Sequence, residues 1–513
     1  MQSRVWQIAR SVLSNWFATA ATLSVGFFLA PFVVHRLGDV AYGVWVLAVS
    51  TVNYLAILDM GMASSVVRFV SKGHATQDHD GASEVLSAVL WVRLQISALL
   101  LLLSGGLSAV FPLIFKVPPS LAVDAREAIL VIGVTSTISM SFGVFSSTLS
   151  ALNRYDLRSY VTLVELAIRV IGVVSVLLSG HGIVAIAFCE LLSAVVGNGL
   201  LVYIVRRIYP ELTIRLAKPK KEVLRKIWSY SFYAFLDTVA VQLVYQSDNL
   251  VVGAFITASA VTFYSIGNSL CRYTSQIVSA MTKTFTPAAS MYEAEGNASS
   301  LRSLYINGTR ATMAVSLPIA LTLIIRGGSF IGVWMGPQYS KVSGTVLAIL
   351  ATALLFSLQN VTAGSIAFGV GKHKTLARWA IGEAVSNLTL SIILAHVLGL
   401  YGVAIGTLIP SLVVQLVLWP RYISQLVGIG AFEVIWKVLA PVLLSTVPFA
   451  VASYAVDVHF PVHSKAEFFM QTIALLPIFF LSIGLMFRDN VKRQVLPRVK
   501  SYLGKYKVDR MTS

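Results

Sequence analysis

VLSNWFATAATLSVGFFLAPFVV (Val12–Val34) carries no ionisable side chain. About 20 predominantly apolar residues are what an α-helix needs to cross the hydrocarbon core of a bilayer. The run follows Arg4 and Arg10 and reads as a signal anchor, being too long for the core of a cleaved signal peptide. Similar runs recur along the chain, fourteen in all: roughly 12–34, 41–70, 84–112, 125–151, 159–179, 182–205, 227–255, 260–283, 304–331, 342–370, 376–398, 401–419, 432–455 and 466–487. Transmembrane barrel strands would be alternating segments of about ten residues. These runs are far longer and do not alternate, so the expected class is all-α and polytopic.

Composition agrees. Hydrophobic residues make up 56% of the chain and charged residues 12%, with a mean hydropathy of +0.78. Soluble domains carry about a quarter charged residues. A soluble fold so poor in charge would expose apolar surface everywhere, whereas a bilayer accepts it. Cys189 and Cys271 sit inside apolar runs and read as small hydrophobes.

Charge orients the chain. Counting spans from the N-terminus, one side gathers most Lys and Arg, including the cluster Arg206–Lys226 and the tail after Arg488. The other side holds Arg36, Lys116, Arg126, Arg326, Lys341 and Lys465. Short loops rich in Lys and Arg stay in the cytoplasm, so both termini are expected there. The net charge of +17 is then chiefly a topology signal, and no folded basic module points to nucleic acid. The basic tail is expected to touch anionic lipid headgroups.

The polar stretch from Arg206 to Lys226 divides the chain after six spans, and the two sides repeat each other. Gly180-His-Gly-Ile-Val184-Ala-Ile186 matches Gly399-Leu-Tyr-Gly-Val403-Ala-Ile405 at an offset of 219 residues. More weakly, Leu37-Gly-Asp-Val-Ala-Tyr42-Gly43-Val-Trp45 matches Ile256–Tyr264. An even number of helices separates the copies, so the repeats are parallel, and such transporters bind substrate between the halves. The expected organisation is an N-terminal six-helix bundle (1–208), a cytoplasmic linker (209–226), a C-terminal six-helix bundle (227–427), an extra helix pair (428–487) and a basic cytoplasmic tail (488–513). The short outer connections leave no room for the catalytic surface of a polysaccharide polymerase or glycosyltransferase.

Charges inside spans are costly and commonly functional. Arg272 lies about a dozen residues, roughly 18 Å, from the outer end of its helix and cannot snorkel out. It reads as a cavity-facing anion site, or as one half of an ion pair with Asp237 or Asp248. Arg93, Arg310 and Arg68 could line the same cavity or snorkel to the cytoplasmic interface. Glu165 and Arg169 stand i,i+4 on one helix face and could neutralise each other. Glu190 and Glu383 show no local partner and are candidates for ion coupling. Asp59-Met-Gly61 interrupts a helix, which points to gating or to a packing kink. Pro31, Pro318, Pro410, Pro441 and Pro448 fall within spans and are expected to kink them.

Other patterns fail on inspection. Gly369-Val-Gly371-Lys372-His373 lacks the first Gly and the Ser/Thr of a Walker A loop, so no ATPase is expected. His74, Asp78, His79 and Asp80 read as a solvated loop, not a metal site. No catalytic constellation, metal site or cofactor is expected, and the chain does not read as an enzyme.

Arg36-Leu-Gly38-Asp-Val-Ala-Tyr42-Gly43-Val-Trp45, with Leu58-Asp59-Met-Gly61 and the following run to Arg68, resembles the opening of the polysaccharide-type Wzx flippases. These belong to the multidrug/oligosaccharidyl-lipid/polysaccharide exporter superfamily. Ser247-Asp248-Asn-Leu-Val-Val-Gly253-Ala-Phe255, then Tyr264-Ser-Ile-Gly, resembles the opening of their second half. The resemblance implies twelve core helices in two bundles plus an added pair, a cationic cavity between bundles, and ion-driven alternating access. The implied cargo is an undecaprenyl-pyrophosphate-linked oligosaccharide, moved across the bacterial inner membrane for O-antigen or exopolysaccharide synthesis. Implied partners are that lipid-linked oligosaccharide, membrane lipids, and the polysaccharide polymerase and chain-length machinery. A drug or small-cation antiporter of the same superfamily is the alternative. A membrane-embedded glycan-modifying enzyme is a more distant one.

Overall fold

A computed structural model describes residues 2–282, 284–372 and 374–486. The tail 488–513 and the side chain of Asp237 lie outside the described residues. The described chain is helical and contains no strand. In chain order the helices are α1 (Gln2–Leu37), α2 (Asp39–Tyr54), α3 (Met62–Thr76), α4 (His79–Ile114), α5 (Ala122–Ala151), α6 (Tyr155–Leu178), α7 (Ile183–Ile208), α8 (Lys221–Phe255) and α9 (Ala258–Thr282). They continue as α10 (Phe285–Ala294), α11 (Ala298–Trp334), α12 (Pro337–Gln359), α13 (Val361–Gly369), α14 (Lys374–Val413), α15 (Trp419–Val427), α16 (Ala431–Glu433), α17 (Ala440–Ser445), α18 (Val447–His459) and α19 (Lys465–Met486).

Eleven helical stretches among the described residues are long and apolar enough to cross a membrane. One of them, Lys374–Val427, runs for 54 residues. A straight helix of that length would span about 80 Å, far more than the roughly 30 Å of hydrocarbon. It turns at Gly399, whose φ of +59° is open chiefly to glycine. Gly180, its mate in the sequence repeat, has φ +79° at the turn from α6 to α7. The matched glycines do the same conformational work.

The chain divides into two compact units, Met1–Ile266 with Lys374–Thr407, and Gly267–His373 with Leu408–Ser513. Lipid is as apolar as leucine, so helices associate through close packing of small residues and through hydroxyl bonds. The first unit is built that way. Ser141 donates to Ser97 at 2.8 Å between α5 and α4, and Ser104 presses on Gly133. At the start of α2, a Cβ on Gly43 would lie 1.8 Å from the Ala258 carbonyl oxygen, and Thr262 donates to the Asp39 carbonyl at 2.6 Å. The repeat offset carries Asp39 onto Ala258 and Gly43 onto Thr262. Each of these two contacts is therefore the mate of the other.

The linker is not a free loop. Its backbone runs along α4, with Thr213 N–H donating to Ser83 and Arg215 N–H donating to Ser87, both at 3.0 Å. Asp78, expected in a solvated loop, caps α4 by accepting from Gly81 N–H at 2.9 Å, and His79 Nδ1 lies 2.8 Å from the Tyr209 hydroxyl.

In the second unit, α11 and α12 meet glycine to glycine. A Cβ on Gly344 would stand 2.6 Å from the Gly328 Cα. Helices α18 and α19 dock on α11 through Arg326, counted from the sequence as an outer loop charge. Its side chain is wholly buried, 3.5 Å from Asp457 and 3.4 Å from Thr472, bonded to Gln471, and 4.9 Å from the Phe468 ring centroid. Position near a span end marked Arg326 as a topology charge, but a packed carboxylate and two amide and hydroxyl partners draw it inside.

Gly43→Ala should lower the unfolding midpoint in detergent, with a loss of about 1–3 kcal/mol typical of overpacked contacts. Gly105→Ala, where nothing lies within 4 Å of the added methyl, should leave the midpoint unchanged. Equal midpoints for both variants would show that the α2–α9 crossing does not depend on a bare backbone.

Candidate functional site

Three groups of polar residues in the first unit involve the acids singled out from the sequence. The first lies at the helix break expected from Asp59-Met-Gly61. After α2 the chain tightens into a 3-10 turn over Leu55–Asp59, then passes through Met60 and Gly61 at φ +53° and +67° before α3 begins. Arg93, 4% exposed on α4, places its Nη2 2.6 Å from Asp59 Oδ1. A buried guanidinium without an anion would be strongly unfavourable. The break supplies one, and the pair in turn fixes the break against α4. Arg93, read from the sequence as a cavity cation, is thus brought together with Asp59, read as a gating acid.

The second group joins α6 and α7. Arg169 donates to Glu190 at 2.8 Å. The i,i+4 spacing suggested Glu165 as the partner instead. Glu165 packs over Gly197 of α7, where a Cβ would meet its Oε1 at 1.8 Å, and Ser193 donates to its carbonyl at 3.0 Å. Glu190, which showed no partner in the sequence, finds one across the helix interface.

The third group surrounds Asp248, 4% exposed on α8. Its Oδ2 accepts from the Tyr264 hydroxyl at 2.6 Å and from the Thr407 hydroxyl at 2.9 Å. Asn387 donates to Thr407 at 3.1 Å, and Ser391 donates to Asn387 at 3.2 Å. The other carboxyl oxygen, Oδ1, is buried with no hydrogen-bond partner among the described atoms. The polar stretch Tyr245–Asn249 does not interrupt α8. The helix continues, with Asp248 bonded to α9 and α14 and Asn249 donating to Ser50 of α2 at 3.2 Å. Arg68, on α3, stacks at 4.4 Å on Tyr230.

In the second unit, Arg272 is exposed on α9 and donates to the Ser269 hydroxyl at 3.3 Å. It makes no ion pair among the described residues. Arg310 is half-buried on α11, and Glu383, in the first unit, is half-buried on α14. Three features escaped the sequence reading: the hydroxyl set Tyr264–Thr407–Asn387, the Arg169–Glu190 pairing and the Arg326 hub. Only the depth of the charges hinted at them, because the partners come from distant helices.

A family model described as polysaccharide biosynthesis protein matches residues 8–293. The chain is 26% identical over 439 residues to the uncharacterized membrane protein EpsK of Bacillus subtilis, covering 84% of this chain and 86% of that one. It is 20% identical over 411 residues to a putative O-antigen transporter of Shigella flexneri, covering 78% and 94%. Among solved structures, the lipid II flippase MurJ in an inward closed conformation superposes with a TM-score of 0.72 at 13% identity, covering 94% of this chain and 99% of that one. A multidrug resistance MATE transporter of the MOP superfamily gives 0.63 at 18% identity, covering 82% and 94%. These two likenesses establish the fold.

Arg93→Met should destabilise the protein by about 3 kcal/mol, as when one partner of a buried ion pair is removed. The double variant Asp59→Leu/Arg93→Met should recover most of that loss. Unfolding midpoints in detergent for both single variants and the double check this, and a double-variant loss equal to the sum of the two single losses would show that the two groups are not coupled.

Proposed function

Since this chain belongs to the polysaccharide biosynthesis protein family, we propose that it is a flippase for an undecaprenyl-pyrophosphate-linked oligosaccharide. It moves the cargo from the cytoplasmic to the periplasmic leaflet of a bacterial inner membrane by ion-coupled alternating access. Both termini are cytoplasmic in this reading, which the Lys/Arg distribution supports. Surface or extracellular polysaccharide synthesis consumes the product, and the polymerase and chain-length machinery are the protein partners.

The observation that carries this reading is Arg272. A guanidinium at that depth on α9, exposed and bonded to a neutral hydroxyl, has its charge uncompensated among the described residues. A pyrophosphate crossing hydrocarbon needs such a group, since an unpaired anion in an apolar medium is very costly. Charge-assisted bonds from arginine to phosphate are strong and often bidentate. Arg310 contributes a second cation. Arg93 reaches the cargo only by leaving Asp59, so that pair acts as a gate at the helix break. Glu190, tied to Arg169, and Glu383 and Asp237 stand in reserve as ion-responsive groups.

Coupling is assigned to Asp248. One oxygen is bound by two hydroxyls, and the other is buried without a hydrogen-bond partner among the described atoms. A proton on that oxygen removes the buried charge. A drug or small-cation antiporter of the same superfamily would need acidic groups where this chain presents Arg272.

Arg272→Ala should abolish lipid-linked glycan export at normal protein level, and Arg272→Lys should retain part of it. Full export by the alanine variant removes Arg272 from the mechanism. Asp248→Asn should slow transport and flatten its pH profile in reconstituted vesicles. A slowed variant that keeps the parent's pH profile would relieve Asp248 of the coupling role.

A further inference from the structure

On the linker side of the first unit, α3 and α8 are clipped together by hydroxyls. Ser65 and Ser231, both fully buried, have their Oγ atoms 2.7 Å apart, and Ser65 donates to the Ile227 carbonyl at 3.1 Å. This clip sets the rotation of each helix about its axis. One turn away, four side chains converge. The Arg68 guanidinium lies 4.4 Å from the Tyr230 ring centroid and 5.7 Å from that of Phe69. The Lys226 ammonium lies 4.6 Å from the Phe69 centroid, and the two rings meet edge to face at 6.1 Å.

Arg68 and Lys226 differ from the cations paired elsewhere in the protein. Arg93, Arg169 and Arg326 each face a carboxylate. Arg68 and Lys226 face rings and form no ion pair among the described residues. A ring holds a cation through its quadrupole, a weak attraction at an exposed position. Stacking uses the flat face of the guanidinium and leaves its fork of N–H donors free at the edge. The rings therefore hold two positive groups near Phe69 with their donors unspent. Two like charges so placed repel, and an anion with two adjacent charged groups would relieve both.

We propose that Arg68, Lys226, Phe69 and Tyr230 form a loading site for the pyrophosphate of the lipid-linked cargo. The guanidinium takes one phosphate through two parallel hydrogen bonds, and the ammonium takes the other as a point charge. Tyr230 and Phe69 position the cations, and the Ser65–Ser231 clip positions the rings. Lys226 lies near the linker end of α8, about 8 Å along the helix from its first residue, the depth of a headgroup entering the membrane. The inference rests on the transport reading for its ligand. A phospholipid headgroup presents related chemistry but a single phosphodiester, with one negative charge against the two or more of a pyrophosphate.

The test uses the full chain in nanodiscs of phosphatidylcholine, with undecaprenyl pyrophosphate as the probe and affinity read by native mass spectrometry. Arg68→Gln and Lys226→Gln should each weaken binding by roughly tenfold, as expected for loss of a charge-assisted phosphate contact. Tyr230→Phe, which keeps the ring, should bind like the parent, and Tyr230→Leu should weaken. Undecaprenyl monophosphate should bind more weakly than the pyrophosphate to the parent and equally to the Lys226 variant. Parent-like affinity in both charge variants overturns the site while leaving the transport reading in place, provided Arg272→Ala still loses export. Displacement of the probe by phosphatidylglycerol at equal concentration identifies a bulk-lipid headgroup site and also overturns the proposal. Failure of the parent itself to bind the probe overturns both readings. Retention of the parent's elution profile in detergent verifies that each variant is folded.

Discussion

A charge in hydrocarbon must be answered from within the protein, and that requirement organises this molecule. Water is absent from the middle of the bilayer, so an ion there is costly unless a partner of opposite sign or a set of dipoles receives it. The described helices meet the requirement with cross-helix pairs: Arg93 with Asp59, Arg169 with Glu190, and Arg326 with Asp457. Each pair joins elements that sequence alone leaves separate, so each also fixes packing. Asp248 is answered differently, by hydroxyls from α9 and α14. Arg272 and Arg68 are answered by a hydroxyl and by rings, which leave their charge available.

Close packing follows from the same absence of water. With no hydrophobic force between helices in lipid, contact depends on how near two backbones approach. Glycine and serine therefore lie at the crossings. Gly43 meets the Ala258 carbonyl, Gly344 meets Gly328, and Ser97 bonds Ser141. The repeat gains structural meaning at two of its positions. Gly180 and Gly399 both turn the chain in the left-handed region, and the Asp39–Thr262 contact mirrors the Gly43–Ala258 contact. Local breaks concentrate where polar groups are handled. The 3-10 turn before Met60 places the Asp59 carboxylate beside Arg93, a position that a continuous helix through this segment would not have to provide.

Function in such a protein rests on the contrast between answered and unanswered charges. Matched pairs hold the fold, whereas Arg272 and Arg68 lie against neutral groups.

The sequence by itself determined the class, because hydropathy and charge scarcity are properties of composition and run length that no folding can alter. It also located the break at Asp59-Met-Gly61 and the turn at Gly399, since backbone freedom is written in glycine. It singled out the charges that needed an explanation. Only the tertiary structure decided their partners. Helical spacing paired Glu165 with Arg169, yet the guanidinium reaches Glu190 on the next helix. Position near a span end made Arg326 a topology charge, yet it is buried against Asp457. Periodicity reports which face of a helix a residue occupies, whereas the partner across that face is set by helices distant in the chain.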